Sequence, residues 1–480
     1  MHTIDFLVFL AFTASVVIFG ASFWRKGTSA DEFTAAGRSL PAWVVGMSIF
    51  STYVSSISYL GYPGKAFAAD WNAFVFSLSI PIASWVAARY FVPFYRRQTS
   101  VSAYSFLEER FGLWARWYAS ACYLLTQMAR IGSIMFLLAL PMNVLLGWDI
   151  RLIIVVTSVL IIIYSMLGGV KGVIWTEAVQ GIIMIGGALV CLAILLFSMP
   201  EGPAQTFSIA WQHDKFSLGS FSLTELGEST FWVCLIYGIF TNLQNYGIDQ
   251  NYVQRYHAAR SDRAARRAAL FGGYLFIPVS AVFFLIGTAL FSYYSVFPAP
   301  LPEKPDYVFP YFIVHQLPKG FTGLLIASIF AAGMSTVATS ITSASTVILN
   351  DYYRRLRPAA TDREQLLALK VSGVAVGLVG IVISLALVRV DSILDAWWKL
   401  SSIFSGGMLG LFLLGYISQH VRNVDAVIGV ICGVLVIGWI SAAEWLGLPS
   451  SGLHEFLAIV VGTLVIFLVG FLLAKRAPRR

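Results

Sequence analysis

The sequence predicts an all-α polytopic membrane protein of about thirteen transmembrane helices. Three observations predict it. The 480 residues are 58% hydrophobic and only 12% charged, too little charge to cover a soluble protein of this length. Apolar stretches of roughly 20 residues, enough to cross a bilayer, recur from one end to the other. The loops between them alternate between rich and poor in cations, as the positive-inside rule requires.

The predicted spans are 3–22, 41–60, 72–95, 114–147, 150–168, 173–199, 227–256, 268–296, 320–350, 368–388, 395–417, 424–446 and 453–474. The first, within "MHTIDFLVFLAFTASVVIFG", lacks the basic start and small-residue cleavage site of a signal peptide and reads as a retained span. The odd loops carry the cations. These are Arg25, Lys26 and Arg38; Arg96, Arg97 and Arg110; Lys171; Arg255, Arg260, Arg263, Arg266 and Arg267; Arg354, Arg355, Arg357 and Arg363; then Arg422, with Lys475, Arg476, Arg479 and Arg480 at the end. The even loops hold only Lys65, Arg151, Lys215, Lys304 with Lys319, and Arg389. This places the N-terminus outside and the C-terminus in the cytoplasm. The net charge of +8 thus reflects orientation rather than nucleic-acid binding. Two outer loops are long. Residues 200–226 are polar and irregular, and 297–319 are proline-rich with an amphipathic piece near 307–316, suited to a lid or an ordinary interfacial helix. Cys122, Cys191, Cys234 and Cys432 stand singly in apolar segments and imply neither a disulfide framework nor a metal site.

Four places break the apolar rule. In "SIFSTYVSSISYL", from Ser48, six of the first eleven residues are Ser or Thr, and "GYPG" follows at Gly61 to Gly64. Such hydroxyls can bond back to the carbonyl four residues earlier or let helices pack closely. At this density they also favour a locally unwound helix lining a cavity. In "GMSTVATSITSAST", eight of the twelve residues from Ser335 are Ser or Thr, and Ser335, Thr339, Thr342 and Thr346 share one helix face. Hydroxyls from this helix and freed carbonyls from the other would suit a hard cation such as sodium; a small-residue packing face is the alternative. Arg130, in "LLTQMARIGSIMF", falls mid-span, where a cation costs roughly 2.5–3.5 kcal/mol and must face a cavity or a partner. Its planar fork suits a carboxylate, and a structural ion pair would serve equally. Glu177, in "GGVKGVIWTEAVQG", lies about one turn inside a helix end; it is either interfacial or an anionic cation ligand beside Ser335 and Thr339. Arg89, Asp249, Asp395, Lys399 and Glu444 lie nearer span ends and carry no assignment.

No GxSxG, HExxH or P-loop occurs, so neither an enzyme nor an ATP-driven pump is expected. A broken polar helix facing a hydroxyl-rich one suits a coupled carrier. Spans two to six and seven to eleven form two sets of five, and an odd number makes the sets inverted. Each set opens on an interrupted helix, 41–60 in the first and 227–256 with "TNLQNYG" (Thr241 to Gly247) in the second. Paired interruptions point to a midplane transport site.

The segments "AGRSLPAW" (36–43), "SSISYLGYPGKAF" (55–67), "GGVKGVIWTEAVQG" (168–181), "DQNYVQRYHAAR" (249–260) and "IFAAGMSTVATSITSASTVILNDYY" (329–353) resemble the sodium:solute symporter family, over nearly the whole chain. The resemblance implies an inverted five-plus-five repeat core. Residues 1–40 would hold an extra N-terminal helix and first cytoplasmic loop, 41–199 the first repeat, and 200–226 an outer loop. The second repeat would be 227–417, with two extra C-terminal helices and a basic tail in 418–480. It also implies a co-transported sodium ion and no organic cofactor. The sodium ligands would be the carbonyls of Ser51, Val54 and Ala332 with the hydroxyls of Ser335 and Thr336. Some members have a second site on an aspartate. Here the acid is Glu177 and one hydroxyl position is Ala338, though Thr339 remains, so sodium, a proton or a structural role are the alternatives for Glu177, Ser335 and Thr339.

Around Arg130 the chain is most similar to the family's sialic acid transporters. The resemblance places Tyr53, Ser55, Ser58, Ala73, Ser77, Arg130, Asn242 and Asn245 at the substrate. The expectation is a monomeric, multi-pass symporter of the bacterial inner membrane that binds a small anionic solute, a carboxylated sugar first. A neutral sugar or polyol, a proton-coupled carrier and a non-transporting sensor are the rivals.

Overall fold

A computed structural model of the chain describes residues 3–23, 30–98, 100–389, 393–405, 407–443, 447 and 449–476. Arg25, Lys26, Glu444, Arg479 and Arg480 lie outside the described residues. The described chain is helical. Its principal elements are α1 (Thr3–Ala21), α2 (Ala42–Tyr53), α3 (Ile57–Ala68), α4 (Asn72–Arg97), α5 (Leu113–Leu146) and α6 (Ile150–Phe197). They continue with α7 (Phe231–Ile248), α8 (Gln250–Ala258), α9 (Asp262–Val296), α10 (Phe321–Val347) and α11 (Asp362–Leu387). The last four are α12 (Ile393–Ser405), α13 (Met408–Ile417), α14 (Asn423–Ala442) and α15 (Leu457–Arg476).

Among the described residues, nine to eleven spans are long and apolar enough to cross a membrane, the higher figure counting each bent pair as one. The other two of the thirteen expected spans fall on Ile150–Ile163, which is shorter, and on α7 with α8, which break at Asp249.

The breaks follow from local chemistry. Helix α2 ends where Val54 turns extended (φ −79°, ψ 103°), and α3 leaves at 57°. The last four carbonyls of a helix have no helical donor. Here the Phe50 carbonyl takes the Val54 N–H at 2.9 Å, and that of Thr52 takes Arg130 Nη2 at 2.6 Å. The broken span runs on to Ala68, past the expected end at 60, with Pro63 in the first turn of its final segment. The second interruption lies just beyond "TNLQNYG", which is itself helical. Asp249 (φ −75°, ψ 125°) ends α7, and its carboxylate accepts the Asn251 N–H at 2.7 Å to start α8. Helix α6 kinks at Gly169, whose φ of +56° suits glycine and whose missing side chain leaves room for Phe33.

Helix α10 is the axis of the bundle. It packs on α6, α5 and α1. Its apolar window is 94% buried, against 22% for α1, so the hydroxyl-rich helix faces protein and not lipid. Of the outer loops, 200–226 contains a helix at Pro203–Gln212, and the proline-rich loop holds one at Val308–Gln316 that buries Phe309 and Phe312.

Candidate functional site

A cavity opens at the two helix breaks. Tyr53, Ser55 and Ser58 line it from the first break, Arg130 from the middle of α5, and Asn245 from α7. The Arg130 guanidinium is fixed against the broken helix by its bond to the Thr52 carbonyl. Asn245 Nδ2 lies 3.5 Å from the Tyr53 hydroxyl, so the two breaks meet across the cavity.

Three expected substrate residues do not line this cavity. Ala73 faces a second cavity bounded by Lys65, Asn72, His454 and Glu455. Ser77 is buried, its hydroxyl paired with Ser280 at 2.7 Å between α4 and α9. Asn242 is buried and donates to Ser79 Oγ at 2.8 Å. Each is committed to helix packing or to another space. In their place the wall includes Gln127, Thr241, Gln244, Asp249, Trp398 and Ser401. Helical spacing could have found some of them. Gln127 lies three residues before Arg130, and Thr241 lies four before Asn245. Nothing in the sequence marks Trp398, whose ring separates the two cavities and packs on Phe76 and Phe456 at centroid distances of 5.8 and 5.0 Å.

The expected sodium ligands sit on α2 and α10, which are in contact. Ser51, Val54, Ala332, Ser335 and Thr336 are all fully buried. Ser51 Oγ donates to the Glu177 carbonyl at 2.8 Å, which pins α2 to α6, and a Cβ at Gly181 would collide with that hydroxyl. Ser335 Oγ and Thr336 Oγ1 both donate to the Ala332 carbonyl, at 2.9 and 3.1 Å. A hydroxyl that donates its proton keeps two lone pairs to offer a cation. The set is all oxygen, carries no net charge and is shielded from water, which fits a weakly polarising alkali ion.

Glu177 is also fully buried. The structure brings Thr339 to it, as expected, but it also brings Arg255. Arg255 Nη2 donates to both carboxylate oxygens, at 2.7 and 2.6 Å. The hydroxyls of Ser48 and Thr339 donate to the same carboxylate, and they accept from Arg255 Nε and Nη2, each at 2.7 Å. Ser335 instead bonds Ala332. Sequence reasoning missed Arg255 because it stands in the basic run that orients the chain. In the structure it is only 2% exposed, whereas Arg260 and Arg263 beyond it are exposed.

The chain is similar to known transporters along its length. The sodium:solute symporter family profile matches residues 33–433. The sodium/sialic acid symporter NanT of Aliivibrio fischeri is 31% identical, over 98% of this chain and 93% of the relative. The sodium/sialic acid symporter SiaT of Proteus mirabilis is 33% identical, over 98% and 95%. Among solved structures, the substrate-bound outward-open state of a Na+-coupled sialic acid symporter, described as revealing a novel Na+ site, superposes with a TM-score of 0.90. It has 29% identity and covers 100% of this chain and 99% of its own.

Proposed function

The chain belongs to the sodium:solute symporter family, and on that premise we propose that it imports a carboxylated sugar, sialic acid first, by alternating access. As a member of that family it is a multi-pass membrane protein that couples solute movement to sodium. The observation that carries the substrate class is Arg130. It is a mid-span guanidinium on the wall of the central cavity, among hydroxyl and amide groups suited to a sugar. A fork of N–H donors in a site of low dielectric recognises a carboxylate by charge and by shape.

Sodium is bound by the carbonyls of Ser51, Val54 and Ala332 and the hydroxyls of Ser335 and Thr336. It ties the broken helix to α10 and so holds the cavity wall from which Tyr53, Ser55 and Ser58 contact the sugar. The two sets of five helices, 41–199 and 227–417, act as inverted repeats, and rocking of one against the other opens the cavity to the cytoplasm. One sodium crossing a 100 mV potential contributes about 2.3 kcal/mol before its concentration gradient is counted. The protein works as a monomer in the bacterial inner membrane, N-terminus outside.

A second reading rests on Asp249, which lines the same cavity. A carboxylate there offsets Arg130 and favours a neutral sugar or polyol. Thermal stabilisation of the purified protein by acids, sugars and polyols, with and without sodium, decides between the readings. A sodium-dependent shift with sialic acid supports the acid, and a shift with neutral sugars alone turns Arg130 into a structural residue.

A further inference from the structure

Helix α10 begins without a cap of its own. Gly320, the residue before its first turn, has no side chain to accept an N–H, and its φ of +90° is one that glycine takes readily. The first N–H groups of a helix find no partner within it. Here two of them are met from α1, more than 300 residues earlier in the chain. Asp5, in the first turn of α1, accepts the Gly320 N–H at 2.7 Å and the Gly323 N–H at 3.1 Å, both on Oδ1. The second is the bond that a Ser or Asp at the N-cap normally makes to the third helical residue. An anionic side chain also suits the positive end of the helix dipole. Asp5 is only 4% exposed.

These bonds fix where α1 lies on α10. A Cβ at Gly323 would collide with the Asp5 backbone, so the two helices meet main chain to main chain there. One turn along α1, the Phe9 ring meets Phe330 edge to face, with centroids 5.0 Å apart. Gly323 and Phe330 are two turns apart on one face of α10. Phe330 stands two residues before Ala332, whose carbonyl accepts the Ser335 and Thr336 hydroxyls. One face of α1 therefore grips α10 from its start to the edge of the sodium ligands.

We propose that Asp5 is a positioning residue for sodium. By capping α10, with Phe9 beneath it, Asp5 sets the register and rotation of that helix, and so the placing of Ala332, Ser335 and Thr336 against the broken helix α2. This gives α1, which precedes both sets of five helices, a part in ion binding without any contact to the ion. The inference rests on the reading that sodium sits among Ser51, Val54, Ala332, Ser335 and Thr336.

The test is equilibrium binding of radioactive sodium to the purified protein, which separates affinity from the number of competent chains. Asp5→Ala is expected to raise half-saturating sodium by roughly two- to fivefold, up to what a lost helix cap is worth. Asp5→Asn keeps an acceptor oxygen at Oδ1 and is expected to recover most of that affinity. A merely structural role would lower the number of competent chains and leave half-saturating sodium at the wild-type value, and that result overturns the proposal. An Asp5→Asn protein as weak for sodium as Asp5→Ala would make the charge the cause and not the cap, and overturns it as well. Should Asp5→Ala fail to fold, Phe9→Ala loosens the same grip with the cap in place. It is expected to weaken sodium binding in the same direction, and unchanged affinity there counts against the proposal. The ion site itself is tested with α1 intact: Ser335→Ala with Thr336→Ala should weaken sodium binding more than either α1 variant. Wild-type affinity in that double variant would mean that the ligand assignment is wrong, a failure separate from that of Asp5.

Discussion

Arg255 Nη2 lies 2.6 Å from Glu177 Oε2 in a buried pair. The two residues are 78 positions apart and belong to different helices. In an interior where each charge is costly alone, they act as one neutral unit. Disturbing either partner separately is therefore the severe change, and removing both is the mild one.

That asymmetry gives the first prediction. Glu177→Gln strands a buried guanidinium and should destabilise the fold by about 3–5 kcal/mol. Glu177→Leu with Arg255→Met should recover most of the loss, since apolar replacement of a buried pair is often close to neutral. Thermal unfolding in detergent, run on both variants and the wild type, makes the comparison.

Ser335→Ala with Thr336→Ala removes two of the five proposed sodium ligands. Half-saturating sodium for uptake should rise by about tenfold or more, some 1.4 kcal/mol per decade. The order of preference among substrates should be unchanged. A sodium titration at fixed ionic strength, with choline as replacement, reads both.

Arg130→Ala should abolish acid uptake. A charge-assisted hydrogen bond is worth about 1.5–3 kcal/mol, and more than one is lost with the fork. Arg130→Lys keeps the charge without the planar fork and should transport weakly. Normal uptake of the acid by Arg130→Ala would leave the arginine with only its bond to the Thr52 carbonyl.

Orientation is testable with two exposed positions, Thr224 and Ala359. Thr224→Cys should react with a membrane-impermeant maleimide on intact cells. Ala359→Cys, beside the basic loop of Arg354 to Arg357, should react only after permeabilisation. The reverse pattern would invert the topology.

Much of this was legible in the sequence because the bilayer makes polar residues conspicuous. Ser48 to Ser58 and Ser335 to Thr346 stand out against lipid-like neighbours, and Arg130 has nowhere to go but a cavity. What was hidden lay in residues whose sequence context disguised them. Arg255 reads as one more cytoplasmic cation, and only folding shows α8 carrying it inward to Glu177. Asp249 reads as a span-end acid, yet it starts α8 and faces the cavity. Ser77 and Asn242 are polar residues on helices that border the cavity, turned toward Ser280 and Ser79. Spacing gives a helix face, but which neighbour that face meets depends on helix packing that no local pattern encodes.

The most direct measurement is uptake of radiolabelled sialic acid by proteoliposomes holding the purified protein, under an inward sodium gradient and under an equal choline gradient. The account predicts transient accumulation above the external concentration with sodium and only background with choline. Uptake of equal size in both, or none in either while a neutral sugar is accumulated with sodium, would contradict it.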